Sequence, residues 1–120
     1  MSIITLILAG IVALEHLYIM YLETFATHSD TTSRVFNMSK EELQRDSVTH
    51  LFKNQGIYNG LIEVFLLYGI FTSSQLLVTV FVLNVFFAAI YGAITANKKI
   101  ILTQGGPAIL TLLSLIISLF

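Results

Sequence analysis

Four apolar stretches, from about Ile3 to Phe25, Leu51 to Phe71, Leu76 to Ala96 and Ile100 to Phe120, fill most of the 120 residues. Each reaches the roughly 20 residues that a helix needs to cross the hydrocarbon core of a bilayer. A bilayer offers the backbone no hydrogen-bonding solvent, so such stretches must satisfy their own amides as helices. The expected fold is therefore all-α, an integral membrane four-helix bundle with a short cytoplasmic helix between spans 1 and 2, and residues 1–120 form one domain. Composition points the same way, with 56% hydrophobic residues, six basic and seven acidic side chains, and a mean hydropathy of +0.85. A net charge of -1 leaves no basic surface for nucleic acid, so no nucleic-acid partner is expected. The absence of cysteine removes disulfides, thiol nucleophiles and thiolate metal sites.

The first stretch is longer than a signal-peptide core and carries Glu15, His16 and Glu23, so it is expected to be a retained span. From Ala26 to His50 the chain turns polar, and Ser39-Lys40-Glu41-Glu42 matches a capping box, predicting a helix that runs from Lys40 into the second span. The short Thr72-Ser73-Ser74-Gln75 turn makes the second and third spans an antiparallel pair. Pro107, after Gln104-Gly105-Gly106, either starts or kinks the helix of the last stretch. All six basic residues, Arg34, Lys40, Arg45, Lys53, Lys98 and Lys99, lie in or beside the first-to-second and third-to-fourth connections. The positive-inside bias then puts both connections in the cytoplasm, with both termini and the Ser73-Ser74 turn outside.

Glu15, Glu23 and Glu63 fall within predicted spans, where an ionised side chain costs a few kcal/mol and marks an inward-facing, often functional position. At helical spacing His16, Met20, Glu23 and Thr27 share one stripe with Glu15 beside it, while Gln55, Asn59 and Glu63 share another, flanked by Asn54 and Tyr58. Counted from the cytoplasmic ends at about 1.5 Å per residue, His16 and Glu63 both lie about 14 Å deep, and Asn59, Tyr91 and Gln104 are shallower. This outlines a polar pocket open to the cytoplasm that binds a small apolar molecule or lipid, with isomerase-type proton transfer as its chemistry. His16 is the candidate acid or base, and Glu15 or Glu23 would orient or charge it. Asn54, Gln55, Asn59, Glu63 and Gln104 are candidate ligand-binding groups, and Tyr58 and Tyr91 would shape the wall.

The same polar groups could instead only bond across helices and fix packing. Gly56-x-x-x-Gly60 fits a close helix contact, and His28 and His50 read as ordinary loop histidines. The carboxylate and imidazole set has none of the ligand spacings of a metal site, so no metal is expected, and the sequence names no cofactor. Two alternatives stay open. One is a proton-coupled small-molecule transporter acting as a homodimer, on the architectural likeness to small multidrug resistance exporters. The other is a structural or accessory membrane subunit, with the capped helix from Lys40 to Asp46 as a docking surface.

The blocks Glu15-His16-Leu17-Tyr18 through Glu23-Thr24-Phe25, Asn54-Gln55-Gly56-Ile57-Tyr58-Asn59-Gly60, Tyr91-Gly92 and Gln104-Gly105-Gly106-Pro107-Ala108 together resemble the bacterial membrane-protein family called domain of unknown function thirteen-zero-four. The resemblance covers essentially the whole chain. It implies a small four-helix protein of the bacterial inner (plasma) membrane and carries no established activity. Glu63 and Thr27 depart from the family's pattern, in which those positions are usually small and aromatic respectively.

Overall fold

The computed structural model describes residues 1–95 and 103–118, and among the described residues the apolar stretches and the polar connection hold six helices with defined bounds. These are α1 (Ile3–Thr24), α2 (Asp30–Phe36), α3 (Lys40–Leu43), α4 (Asp46–Phe71), α5 (Gln75–Thr95) and α6 (Gly106–Ile117). Among the described residues there is no strand. Two of the helices, α1 and α5, are long and apolar enough to cross a membrane. Lys98, Lys99 and the predicted start of the fourth span at Ile100 lie outside the described residues. The chain divides into two compact units, one of Met1–Glu15 with Ile62–Phe120 and one of His16–Leu61.

The first unit is built on small and β-branched residues. Ala9 and Ala13, one turn apart on α1, and Val78, Val82 and Val85 on α5 are buried together with Val12, Leu66 and Ala108. Their spacing of three and four residues is the stripe that a helix buries on one face. Truncating the fully buried Leu66 to Ala should cost about 2–5 kcal/mol. The α4–α5 turn is as tight as its sequence predicts. Ser73 takes the left-handed conformation at φ 52, and the hydroxyl of Ser74 accepts from the Leu77 amide at 3.3 Å, capping α5. Gly69 is required at this corner, because a Cβ there would stand 2.9 Å from Leu77 Cβ and 3.2 Å from Val78 N. Pro107 starts α6 rather than kinking it, at a position whose amide would have had no partner in the helix. The described part of that helix is 12 residues long, shorter than the predicted last span. The Thr5 and Ser114 hydroxyls bond α1 to α6.

In the second unit the polar connection is folded rather than loose. Ser29 caps α2 by accepting from the Thr32 amide at 3.1 Å, and Asn37 ends that helix in the left-handed conformation at φ 54. Thr32 is itself buried and donates its hydroxyl to the Ala26 carbonyl at 2.6 Å, which fixes the entry into α2. Ser39 caps α3 through the Glu42 amide as its motif predicts. The other half of the capping box does not form. The Glu42 carboxylate turns to Arg45 Nη1 at 3.2 Å, where an opposite charge competes with the backbone amide. The predicted unbroken helix from Lys40 into the second span is also interrupted, since α3 ends at Leu43 and α4 begins at Asp46. Leu43 is fully buried and Phe36 meets Phe52 edge to face at 5.1 Å, so this break turns apolar side chains inward.

Candidate functional site

The second unit holds the polar cluster with the best-defined geometry. Along α1 the stripe His16, Ile19 and Glu23 is buried, and Glu23 is 0% exposed. A buried carboxylate needs donors. Asn59, on α4, supplies one through Nδ2 to Oε1 at 2.8 Å. The carboxylate oxygen accepts, which fixes the amide orientation. Gln55, one turn earlier, approaches the same carboxyl. Oε2 nevertheless has no hydrogen-bond partner, and neither does the adjacent buried Thr24 hydroxyl.

Glycine makes this approach of α1 and α4 close enough. A Cβ on Gly56 would stand 1.9 Å from Thr24 Oγ1 and 3.2 Å from both Glu23 Cβ and the Met20 carbonyl oxygen. A Cβ on Gly60 would stand 3.0 Å from Met20 Cγ. The Gly56-x-x-x-Gly60 spacing therefore does what small residues one turn apart do, bringing two helices into near-backbone contact. Thr27, buried below the end of α1, donates its hydroxyl to the Glu23 carbonyl at 2.7 Å and holds the chain as the helix ends.

Beyond that end is a cavity of about 260 Å³, walled by residues 24–29 and by Lys53 from α4. His28 in its wall bonds through Nε2 to Thr49 Oγ1 at 2.9 Å. Thr24 and Phe25 fall in the expected first span and Thr27 on its polar stripe, whereas His28 reads as a loop histidine and Lys53 is not among the expected site residues. A lysine at the head of an apolar stretch, facing a hydroxyl-rich segment, was the available signal.

The structure brings together Glu23, Asn59 and Gln55 from the expected set. His16 is buried on the same stripe of α1, and Asn59 is half-buried. Asn54, Gln55 and Tyr58 have exposed side chains. Tyr58, expected as a pocket wall, is 71% exposed and takes no part in the cavity. In the first unit Glu63 is buried with Oε2 unpartnered, and Glu15 is half-buried within electrostatic reach of it. Also in that unit, Gln104 is half-buried and Tyr91 is exposed. Both tyrosines fall on outward faces of their helices, where the phenol needs no protein partner. Among the described residues no three His, Asp or Glu side chains gather into a metal-binding group.

The sequence matches the family described as "Protein of unknown function (DUF1304)" over residues 10–116. The chain belongs to that family. It is also 64% identical over 116 residues to a protein of Lactococcus lactis subsp. lactis (strain IL1403) titled "Uncharacterized protein YpaA", an alignment covering 95% of this chain and 98% of the relative. No solved structure matches it significantly. The blocks that carry the Glu23–Asn59 pair, Glu23-Thr24-Phe25 and Asn54 to Gly60, lie inside the matched region.

Proposed function

We infer that this member of the family is a multi-pass protein of the bacterial plasma membrane, a four-helix bundle in which α1, α4, α5 and the last apolar stretch are the spans. Its site binds the polar end of a small, largely apolar molecule or lipid. One observation carries the reading. A carboxyl group with no exposure, at the end of an apolar helix, accepts from the Asn59 amide at 2.8 Å with the Gln55 amide nearby, and its buried Oε2 has no hydrogen-bond partner. A group that served only to join helices would be expected to close both oxygens, since each unpaired buried acceptor is costly. A ligand's hydroxyl or amine would donate to Oε2. His16, two turns before Glu23 on the same buried stripe, is where an acid or base would serve isomerase-type chemistry on such a ligand.

The test is untargeted mass spectrometry of molecules retained by the purified protein, compared with Glu23→Gln and Asn59→Leu. A compound bound to the wild type and lost from both variants supports the site. An identical set on all three proteins overturns it. Topology is testable separately because the chain has no cysteine. Single cysteines at Ser73 and Glu41 should be labelled by an impermeant maleimide from outside and inside respectively, and the opposite pattern contradicts the orientation.

Glu63 favours a second reading, a proton-coupled transporter acting as a dimer, because its buried carboxyl has an unpartnered oxygen within an apolar helix. In that case Glu63→Gln abolishes proton-driven efflux from vesicles while leaving the molecule retained at Glu23 in place.

A further inference from the structure

The geometry points to a phosphate-binding site in the cavity at the end of α1, where Lys53 and the backbone of Thr27 and His28 would hold the phosphate of a lipid headgroup or of a soluble phosphate ester. Charge is the first argument. The cavity wall contains a lysine and a histidine and no carboxylate. Asp30 is paired with Lys40 at 2.5 Å and Glu42 with Arg45 at 3.2 Å, while Glu23, next to Thr24, is turned to Asn59 and is not part of the wall. Those pairs also occupy two of the unit's cations, whereas Lys53 enters no ion pair among the described residues. An ammonium beside a wall without acids selects an anion.

Donor supply is the second argument, and it is independent of charge. After the last helical bonds of α1, the Phe25 and Ala26 amides are taken by the Tyr21 carbonyl and the Ser29 amide by the Ala26 carbonyl. The amides of Thr27 and His28 make no hydrogen bond among the described residues. Successive free backbone N–H groups form the kind of concavity that binds phosphate oxygens. The buried Thr24 hydroxyl, also in the wall, lacks a partner as well. His28 has its Nε2 fixed by Thr49, which sets the ring and leaves Nδ1 without a protein partner.

Size and surroundings narrow the ligand. A volume of about 260 Å³ is several times the roughly 30 Å³ share of one water, enough for a phosphate and its ester group. Phe25, in the same wall, is 73% exposed and offers an apolar flank for the adjoining part of an amphiphile. The proposal deepens the ligand reading above and rests on it for the cavity's membrane placement.

The test uses the full chain in a maltoside detergent, which contributes no phosphate, and measures binding by native mass spectrometry. Three probes are compared, namely phosphatidylglycerol, diacylglycerol with the same acyl chains, and glycerol 3-phosphate. Phosphatidylglycerol is expected to bind about tenfold tighter than diacylglycerol, with Lys53→Gln removing that margin and Lys53→Arg keeping it. Binding of glycerol 3-phosphate, lost in the same variant, assigns the site to soluble esters, and its failure to bind assigns it to lipid. Equal affinity for phosphatidylglycerol and diacylglycerol, or unchanged affinities in Lys53→Gln, overturns the proposal. The two readings fail separately. A molecule lost from Glu23→Gln while Lys53→Gln binds every probe normally leaves the Glu23 site standing and removes the phosphate site.

Discussion

Asn59 Nδ2 donates to Glu23 Oε1 at 2.8 Å, joining α4 to α1 through a carboxyl whose other oxygen is buried and unpartnered. The two residues lie 36 positions apart, and the glycines beside them set the distance between the helices. Replacing Asn59 by Leu removes the donor and leaves both oxygens wanting. Loss of a partner to a buried charged or polar group costs about 2–3 kcal/mol, and more when the carboxyl stays ionised. Replacing Glu23 by Leu as well should restore most of that, because an apolar pair needs no donor. Unfolding in detergent of the two single variants and the double variant gives the coupling energy directly. A purely additive cycle would remove the bond from the account of stability.

Gly56 and Gly10 make a paired test of where glycine is required. Ala at Gly56 places a methyl 1.9 Å from Thr24 Oγ1 and close to the Met20 carbonyl, so the helices must part or a side chain must turn. Such overpacking typically costs about 1–3 kcal/mol. Thr24→Ala in the same chain removes the nearest obstacle and should recover part of it, leaving the backbone contact at 3.2 Å as the residue of the cost. At Gly10 a new Cβ meets nothing within 4 Å, and Ala there should stabilise α1 by roughly 0.5–1 kcal/mol through propensity alone. Thermal melts of the three variants decide it, and equal effects at the two glycines would contradict the packing argument.

The contrast shows what the sequence could and could not reveal. Periodicity located α1, α4 and α5 to within a few residues, because a long apolar run has one way to satisfy its backbone. The Glu23–Asn59 pair was visible as two stripes with matching chemistry, since helical spacing alone decides which residues share a face. The cavity was not visible. Its wall combines the end of α1, a turn and one residue of α4, and neither the amides of Thr27 and His28 nor the α2 helix that follows has a periodic signature. The break after Leu43 was missed for a related reason. Burial of Leu43 and the Phe36–Phe52 contact outweighs the local preference that would have continued the helix.

The Asp30–Lys40 pair, which clasps α2 to α3, sets a pH dependence outside the spans. Hydrogen bonding to the Lys40 ammonium, and then its charge, holds the Asp30 carboxyl below its ordinary value of 3.8, and Arg34 adds to the effect. A carboxyl lowered on folding binds its proton more weakly in the native state than in the unfolded one. Its contribution to stability is therefore present above the unfolded value, near pH 4, and is lost as the pH falls through the lower folded value. Carbon-detected NMR titration of Asp30 should show a midpoint below that of the same residue in Lys40→Met. Near neutral pH the variant should melt almost where the wild type does, because both partners are exposed and solvent screens them. That small difference closes on the acid limb, where wild-type stability falls as Asp30 is protonated and the Lys40→Met curve stays flatter. Coincident titration curves for Asp30 in the two proteins would show that Lys40 does not hold the carboxyl in solution.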